Sequence, residues 1–229
     1  MRAKTILLRR LGLRVMSDAF SVTDTPSVAQ YDGRPVAGSY AVDFEGVRAK
    51  DVTLVDKGRL VTLLIGRTPQ RSLPQSNGHG RSSGVQAGVF QMQSAQSVPA
   101  ADLKGKYLQL LKAQDKAFGY IVRGIANPSE IAVGGGPGGP FILQAVKVTL
   151  DGKEQPVRGL RFGAVEPPVF RDLVEASQER MLYSYRGSAT EAVSVIAPNL
   201  MFEELEIQRL TDVLQKRGWE SGPVPVLSG

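Results

Sequence analysis

The sequence contains no cysteine and a single histidine, His79. The first absence excludes a disulfide framework, a thiolate nucleophile and every cysteine-based zinc or iron–sulfur site. The second excludes any chemistry that needs two imidazoles from this chain alone, HExxH hydrolysis included. No run approaches the roughly 18 apolar residues of a membrane-spanning helix. Turn formers, by contrast, are plentiful. With 25 glycines and 14 prolines in 229 residues, usage is above that of an ordinary domain and favours a strand-rich fold over a helical bundle.

The net charge of +6 is unevenly placed. Arg2, Lys4, Arg9, Arg10 and Arg14 precede the first acid, Asp18, so the rest of the chain carries only +1. A phosphate-tracking surface spreads its cations over a folded face and interleaves aromatics; this pattern argues against nucleic acid. A secretory signal needs an unbroken apolar run after its charges, and Arg9, Arg10 and Arg14 interrupt it. The opening reads as an amphipathic first element, with a transit peptide as the alternative, and the expected location is the cytoplasm.

Along the chain, Thr5–Ser17 reads as a helix followed by a short strand. Asp32-Gly33 marks a tight hairpin turn. Tyr40, Val42 and Phe44 alternate as a strand, and Leu60 to Ile65 forms a buried one after the turn at Asp56-Lys57-Gly58. A polar, Gly-rich connection over Arg67–Ser83 follows, then a strand within Val85–Val98. Leu103 to Lys116 is a helix with Leu103, Tyr107, Leu110 and Leu111 on one face. Strands are expected at Gly119–Gly124, Phe141–Leu150, Val193–Ile196 and Met201–Ile207, with Pro198 as a break. Val169–Ser177 and Arg209–Arg217 read as short helices. The strands should bury Val42, Phe44, Leu54, Leu63, Ile65, Phe90, Val122, Val146 and Val148 against the helix. One domain over residues 1–217 with a flexible tail, 218–229, accounts for the whole.

Three features invite a chemical reading. Gly134–Gly139 lacks the Lys-Ser/Thr and following helix of a phosphate cradle and reads as a rim loop. His79, between two glycines, reads as a solvated or turn-capping residue, with a general base or lone metal ligand as the alternative. Glu203, Glu204 and Glu206 read as a solvated strand face, with a paired-carboxylate site as the alternative. No catalytic constellation emerges from spacing.

Several phrases, in order, resemble one family. These are Val22-Thr23-Asp24-Thr25-Pro26, Asp43-Phe44-Glu45-Gly46-Val47-Arg48-Ala49 and Leu54-Val55-Asp56-Lys57-Gly58-Arg59-Leu60. Ser76-Asn77-Gly78-His79-Gly80-Arg81, Pro156-Val157-Arg158-Gly159 and Ala197-Pro198-Asn199-Leu200-Met201 follow. Together they are similar to the C-terminal domain of the TldD/PmbA metallopeptidases, also called modulators of DNA gyrase, over about Leu11 to Gln208. The resemblance implies an α+β fold with a large curved, mostly antiparallel, barrel-like β-sheet and a few helices. It also implies dimers, often of one catalytic and one non-catalytic subunit, around a cavity where an unfolded or leader peptide is cleaved. In catalytic members two histidines of an HExxxH helix in the N-terminal domain bind zinc, and a cysteine of the C-terminal domain completes the site.

The sequence departs from that pattern at every zinc ligand. It has no HExxxH, and where the cysteine is expected it reads Tyr185-Arg186-Gly187-Ser188. A guanidinium presents donors only and cannot replace a thiolate on zinc. The implied reading is a chain with no metal and no catalytic residue of its own, with zinc on an HExxxH-bearing partner chain or a missing N-terminal domain. Asn77, His79, Arg81 and Arg186 are then candidate substrate-binding residues. A stand-alone binding or assembly protein, or an excised domain, are the alternatives.

Overall fold

A computed structural model describes residues 8–68, 73–82, 84–126, 140–163, 165, 167–186 and 191–210. In chain order these form β1 (Phe20–Asp24), β2 (Gln30–Tyr31), β3 (Arg34–Pro35), β4 (Val52–Asp56), β5 (Arg59–Leu60), β6 (Gly80–Arg81), β7 (Gly84–Val85) and β8 (Val89–Ser94). The helix α1 (Ala100–Ala113) follows, then β9 (Phe118–Ile125), β10 (Phe141–Thr149), β11 (Glu154–Val157) and β12 (Leu160–Phe162). A 3-10 turn (Pro167–Asp172) leads into β13 (Leu173–Arg186), β14 (Ala192–Phe202) and β15 (Ile207–Arg209). The α+β class holds, and the pairing is antiparallel apart from β8 with β14. The strands divide between two principal sheets, and no closed barrel forms among the described residues.

The chain separates into two compact units. Met1–Tyr107 with Glu166–Glu204 form the first, and Leu108–Val165 with Leu205–Gly229 the second. The first holds a six-stranded sheet in the order β13-β14-β8-β1-β4-β5. Its core gathers Phe20, Val22, Val55, Leu60, Leu63, Met92 and Leu173. The second holds a five-stranded sheet in which β10 pairs β9 on one side and β11 and β12 on the other. Ile142, Ala145 and Leu160 form its core. The N-terminus of α1 is held by β13: Ala100 donates its N–H to Glu179 (2.8 Å) and Lys106 pairs with Glu175 (3.5 Å). Leu111 is buried, while Leu103, Tyr107 and Leu110 are half-buried.

Both hairpin turns form as the sequence predicts. Asp32-Gly33 and Lys57-Gly58 have positive φ at both central residues, the conformation that matches the twist of a two-residue hairpin. Elsewhere the structure corrects the reading. Tyr40–Phe44 is not a strand, and Val42 and Phe44 are exposed, because Asp43 turns its carboxylate inward and folds the segment into a loop. Only Arg59–Leu60 of the next run pairs in a sheet; Leu63 and Ile65 are buried without strand pairing.

The expected helix at Val169–Ser177 is a 3-10 turn and the start of β13, in which Leu173 is buried and Val174 exposed. A short apolar run cannot by itself distinguish the two periods. Pro198 lies inside β14 opposite Arg180, at a register shift in β13. β8 pairs only as far as Ile196, so the missing N–H disrupts no second ladder. β14 ends at Phe202, and Glu203, Glu204 and Glu206 are exposed outside any strand. The Gly134–Gly139 segment, the tail 218–229 and most of Arg209–Arg217 lie outside the described residues.

Candidate functional site

The polar residues that converge in the first unit come from four segments, and each is delivered by local chemistry. In β1 the alternation that buries Phe20 and Val22 continues to Asp24, placing a carboxylate where an apolar side chain would be expected. It is fully buried and accepts N–H groups from Gly88 (2.9 and 3.2 Å to its two oxygens) and Val89 (2.8 Å). Asp24 thus satisfies backbone donors where the β8 strand begins. Gly88 itself must be glycine-sized: a Cβ there would strike the Tyr40 ring, and one at Gly38 would overlap the Gly88 carbonyl.

The segment from Ser76 to Gly80 is pinned by its own side chains. Asn77 accepts the Ile65 N–H (2.7 Å) at Oδ1 and donates Nδ2 to the Leu63 carbonyl (2.9 Å). That side chain does for residues 63–65 what a neighbouring strand would otherwise do, which explains a buried run without strand pairing. Gly78 has φ +77°, and a Cβ on it would overlap the Arg48 carbonyl. His79 follows and is fully buried. The sequence reading of a solvated histidine is overturned, while its turn-capping alternative holds, since Nδ1 lies 3.0 Å from both the Asn77 carbonyl and Asn77 Oδ1.

Asp43 ties the exposed loop to this turn. Its Oδ1 accepts the N–H groups of Glu45 (3.0 Å) and Val47 (2.8 Å), and its Oδ2 accepts that of Gly80 (2.9 Å). Arg81 then crosses to the start of β14. Its Nε donates to Glu191 (3.1 Å), which also accepts the N–H and hydroxyl of Ser82 at 2.8 Å each. Both members of this ion pair are buried. The Arg81 guanidinium lies 4.2 Å over the Tyr40 ring, and the Tyr40 hydroxyl donates to the Gly78 carbonyl (3.0 Å).

Burial dominates the electrostatics. It pushes the Asp24 carboxyl above its ordinary value, opposed by the charge of His79 and the Val89 and Gly88 N–H groups. It pushes the His79 imidazole below its ordinary value, opposed by Asp24, the Asn77 hydrogen bond and Asp43. The Tyr40 phenol is pushed up to about 12, again mainly by burial.

Asn77, His79 and Arg81 therefore come together in one network. Arg186 stands apart as an exposed residue at the end of β13, opposite Ala192, whose carbonyl accepts from Arg81 (3.4 Å). Tyr185 is half-buried and stacks on Tyr183 with ring centroids 6.1 Å apart. Asp24, Asp43, Tyr40 and Glu191 are members that spacing alone did not single out. The one signal for Asp24 is a polar residue on the inward face of an apolar strand.

This donor set does not fit zinc. Asp24 and Asp43 already accept backbone N–H groups, His79 Nδ1 is bound to Asn77, and Arg186 offers no lone pair. Among the described residues no three His, Cys, Asp or Glu side chains are grouped to hold a metal ion.

A family model for the PmbA/TldA metallopeptidase C-terminal domain matches residues 1–209. A metalloprotease of Archaeoglobus fulgidus is 28% identical over 92 residues, 40% of this chain and 20% of that protein. One from Methanothermobacter thermautotrophicus is 32% identical over 84 residues, 36% of this chain and 17% of that protein. The chain therefore aligns with about a fifth of these relatives. Among solved structures, TldE from Thermococcus kodakarensis superposes with a TM-score of 0.64 at 18% identity, covering 90% of this chain and 43% of that one. A protein described as a modulator of a DNA gyrase from Thermotoga maritima gives 0.62 at 17%, covering 87% and 41%.

Proposed function

The chain belongs to the PmbA/TldA metallopeptidases as a C-terminal domain, and from that premise we propose that it is a non-catalytic subunit or domain of a TldD/PmbA-type zinc metallopeptidase. It shapes the substrate cavity and binds peptide, while an HExxxH-bearing partner chain or domain supplies zinc and hydrolysis. The observation that carries this reading is the donor set. Tyr185-Arg186 stands where the family's cysteine is expected, and the only histidine is consumed in a buried turn.

The substrate side of the reading rests on β13. It is the terminal strand of its sheet, and its exposed Met181 and Tyr183 present apolar surface. An extended peptide can add to such an edge by main-chain hydrogen bonds, with pockets for alternate side chains. Arg186 then contacts a substrate carboxylate or fills the vacated metal position. Asn77 and His79 contribute by holding the turn, and Arg81 by holding the start of β14. No described helix is long and apolar enough to cross a membrane; a cytoplasmic location belongs to the same proposal.

Co-expression with an HExxxH-bearing family member from the same genome tests it. Co-purification of the two with peptidase activity supports the proposal. A chain that purifies alone, and neither binds such a partner nor alters its hydrolysis, favours a stand-alone binding protein.

A further inference from the structure

His79 and Asp24 face each other across a fully buried gap, with His79 Nε2 3.8 Å from Asp24 Oδ2. The hydrogen on the other ring nitrogen is settled by its neighbours. Both groups near Nδ1, the Asn77 carbonyl and Asn77 Oδ1, are acceptors. The amide cannot be turned round, because the Ile65 N–H and the Leu63 carbonyl fix which end is oxygen. Nδ1 therefore carries a hydrogen. Nε2 has no hydrogen-bond partner among the described residues.

Three occupancies of the gap differ in cost. With no proton, a ring lone pair faces a carboxylate in a dry interior, and neither is satisfied. With two, an imidazolium is buried beside a neutral acid and has lost its counter-ion. With one, the gap is neutral overall, whichever atom holds the proton. The other charged and titratable groups around the ring do not change that order. Asp43 is occupied by three backbone N–H groups, Arg81 is paired with Glu191, and Tyr40 meets the ring edge-on at 6.3 Å with its hydroxyl on Gly78.

We infer that Asp24 and His79 form a buried dyad that holds a single proton, on Oδ2 or on Nε2 across the 3.8 Å gap, and that a second proton releases the 76–82 segment, making the dyad an acid-sensitive latch. The latch joins the end of β1 to the turn that carries Asn77 and, through Arg81 and Glu191, to the start of β14. This inference uses only the internal geometry of the first unit and does not depend on the proposed peptidase partnership.

The sign follows from proton counts. In an opened segment the two groups have ordinary values, 3.8 and 6.5. Between them the opened pair also holds one proton, so the lowered affinity of His79 and the raised affinity of Asp24 offset each other and opening is independent of pH. Below 3.8 the opened carboxylate takes up a second proton and the closed dyad does not. Opening then rises about tenfold for each pH unit.

Because His79 is the only histidine, its imidazole nitrogens give one unambiguous set of NMR signals. We expect Nδ1 to stay protonated from pH 4 to 6.5 with no titration centred near 6.5. We also expect amide exchange of residues 76–82, corrected for intrinsic rate, to follow the tenfold slope in acid and to lose it in Asp24→Asn. An imidazole that titrates near 6.5 with interchanging tautomers would overturn the inference. So would a flat acid limb in the natural chain, or an unchanged one in Asp24→Asn. Should that variant not fold, the imidazole spectrum of the natural chain decides alone.

Discussion

Replacing Glu191 with Leu isolates the charge that anchors the start of β14. The side chain is 1% exposed and the Arg81 side chain 7%, so solvent cannot take over from a lost partner. The substitution removes the acceptor of Arg81 Nε and of both Ser82 donors, leaving a buried cation with the Ala192 carbonyl and the Tyr40 ring. Breaking a buried pair from one side costs about 3–5 kcal/mol, a large share of a typical total of about 5–15 kcal/mol. At a urea slope near 2 kcal/mol/M the unfolding midpoint should fall by about 2 M. The double variant Arg81→Met/Glu191→Leu removes the stranded cation as well. What it still lacks is the carboxylate that accepted the two Ser82 donors, at about 1–3 kcal/mol, so it should be more stable than Glu191→Leu alone. A loss under about 1 kcal/mol in the single variant, or a double variant no better than it, would refute the claim that this pair is dry and mutually dependent.

Other outcomes follow from the same geometry. Gly38→Ala should prevent the native approach of residues 38 and 88, because its Cβ would overlap the Gly88 carbonyl; loss of the cooperative thermal transition checks it. Asp43→Asn removes the carboxylate's second acceptor oxygen, leaving either the Gly80 N–H or the pair from Glu45 and Val47 unmatched. It should cost about 1–3 kcal/mol in urea unfolding. Leu111→Ala, at a buried position on α1, should cost about 2–5 kcal/mol. Phe44→Ser, on an exposed side chain, should stay within about 0.5 kcal/mol; a larger loss would mean that the loop is buried in the isolated chain.

What could be read in advance divides along physical lines. The hairpins at Asp32-Gly33 and Lys57-Gly58 were legible because a positive φ at both positions demands few residue types. The alternation in β10 and the apolar face of α1 were legible because their periods persist over many residues. β13 was not, since Phe170, Leu173 and Val174 fit a helical face as well as a strand. Exposure of Val42 and Phe44 was hidden because it depends on Asp43 meeting Gly80, 37 residues away. The candidate site was legible as a phrase, Ser76 to Arg81, and not as a constellation. Its partners Asp24 and Glu191 lie 55 residues before and 112 after His79, where spacing carries no information about contact.

The central claim is that this chain lines a peptidase cavity without holding its zinc. Elemental analysis of the lone purified chain and of its complex with an HExxxH-bearing family member, each paired with a peptide-hydrolysis assay, tests it most directly. We expect neither bound metal nor hydrolysis for the lone chain, and both for the complex. Stoichiometric transition metal on the lone chain, with hydrolysis abolished by its removal, would contradict it.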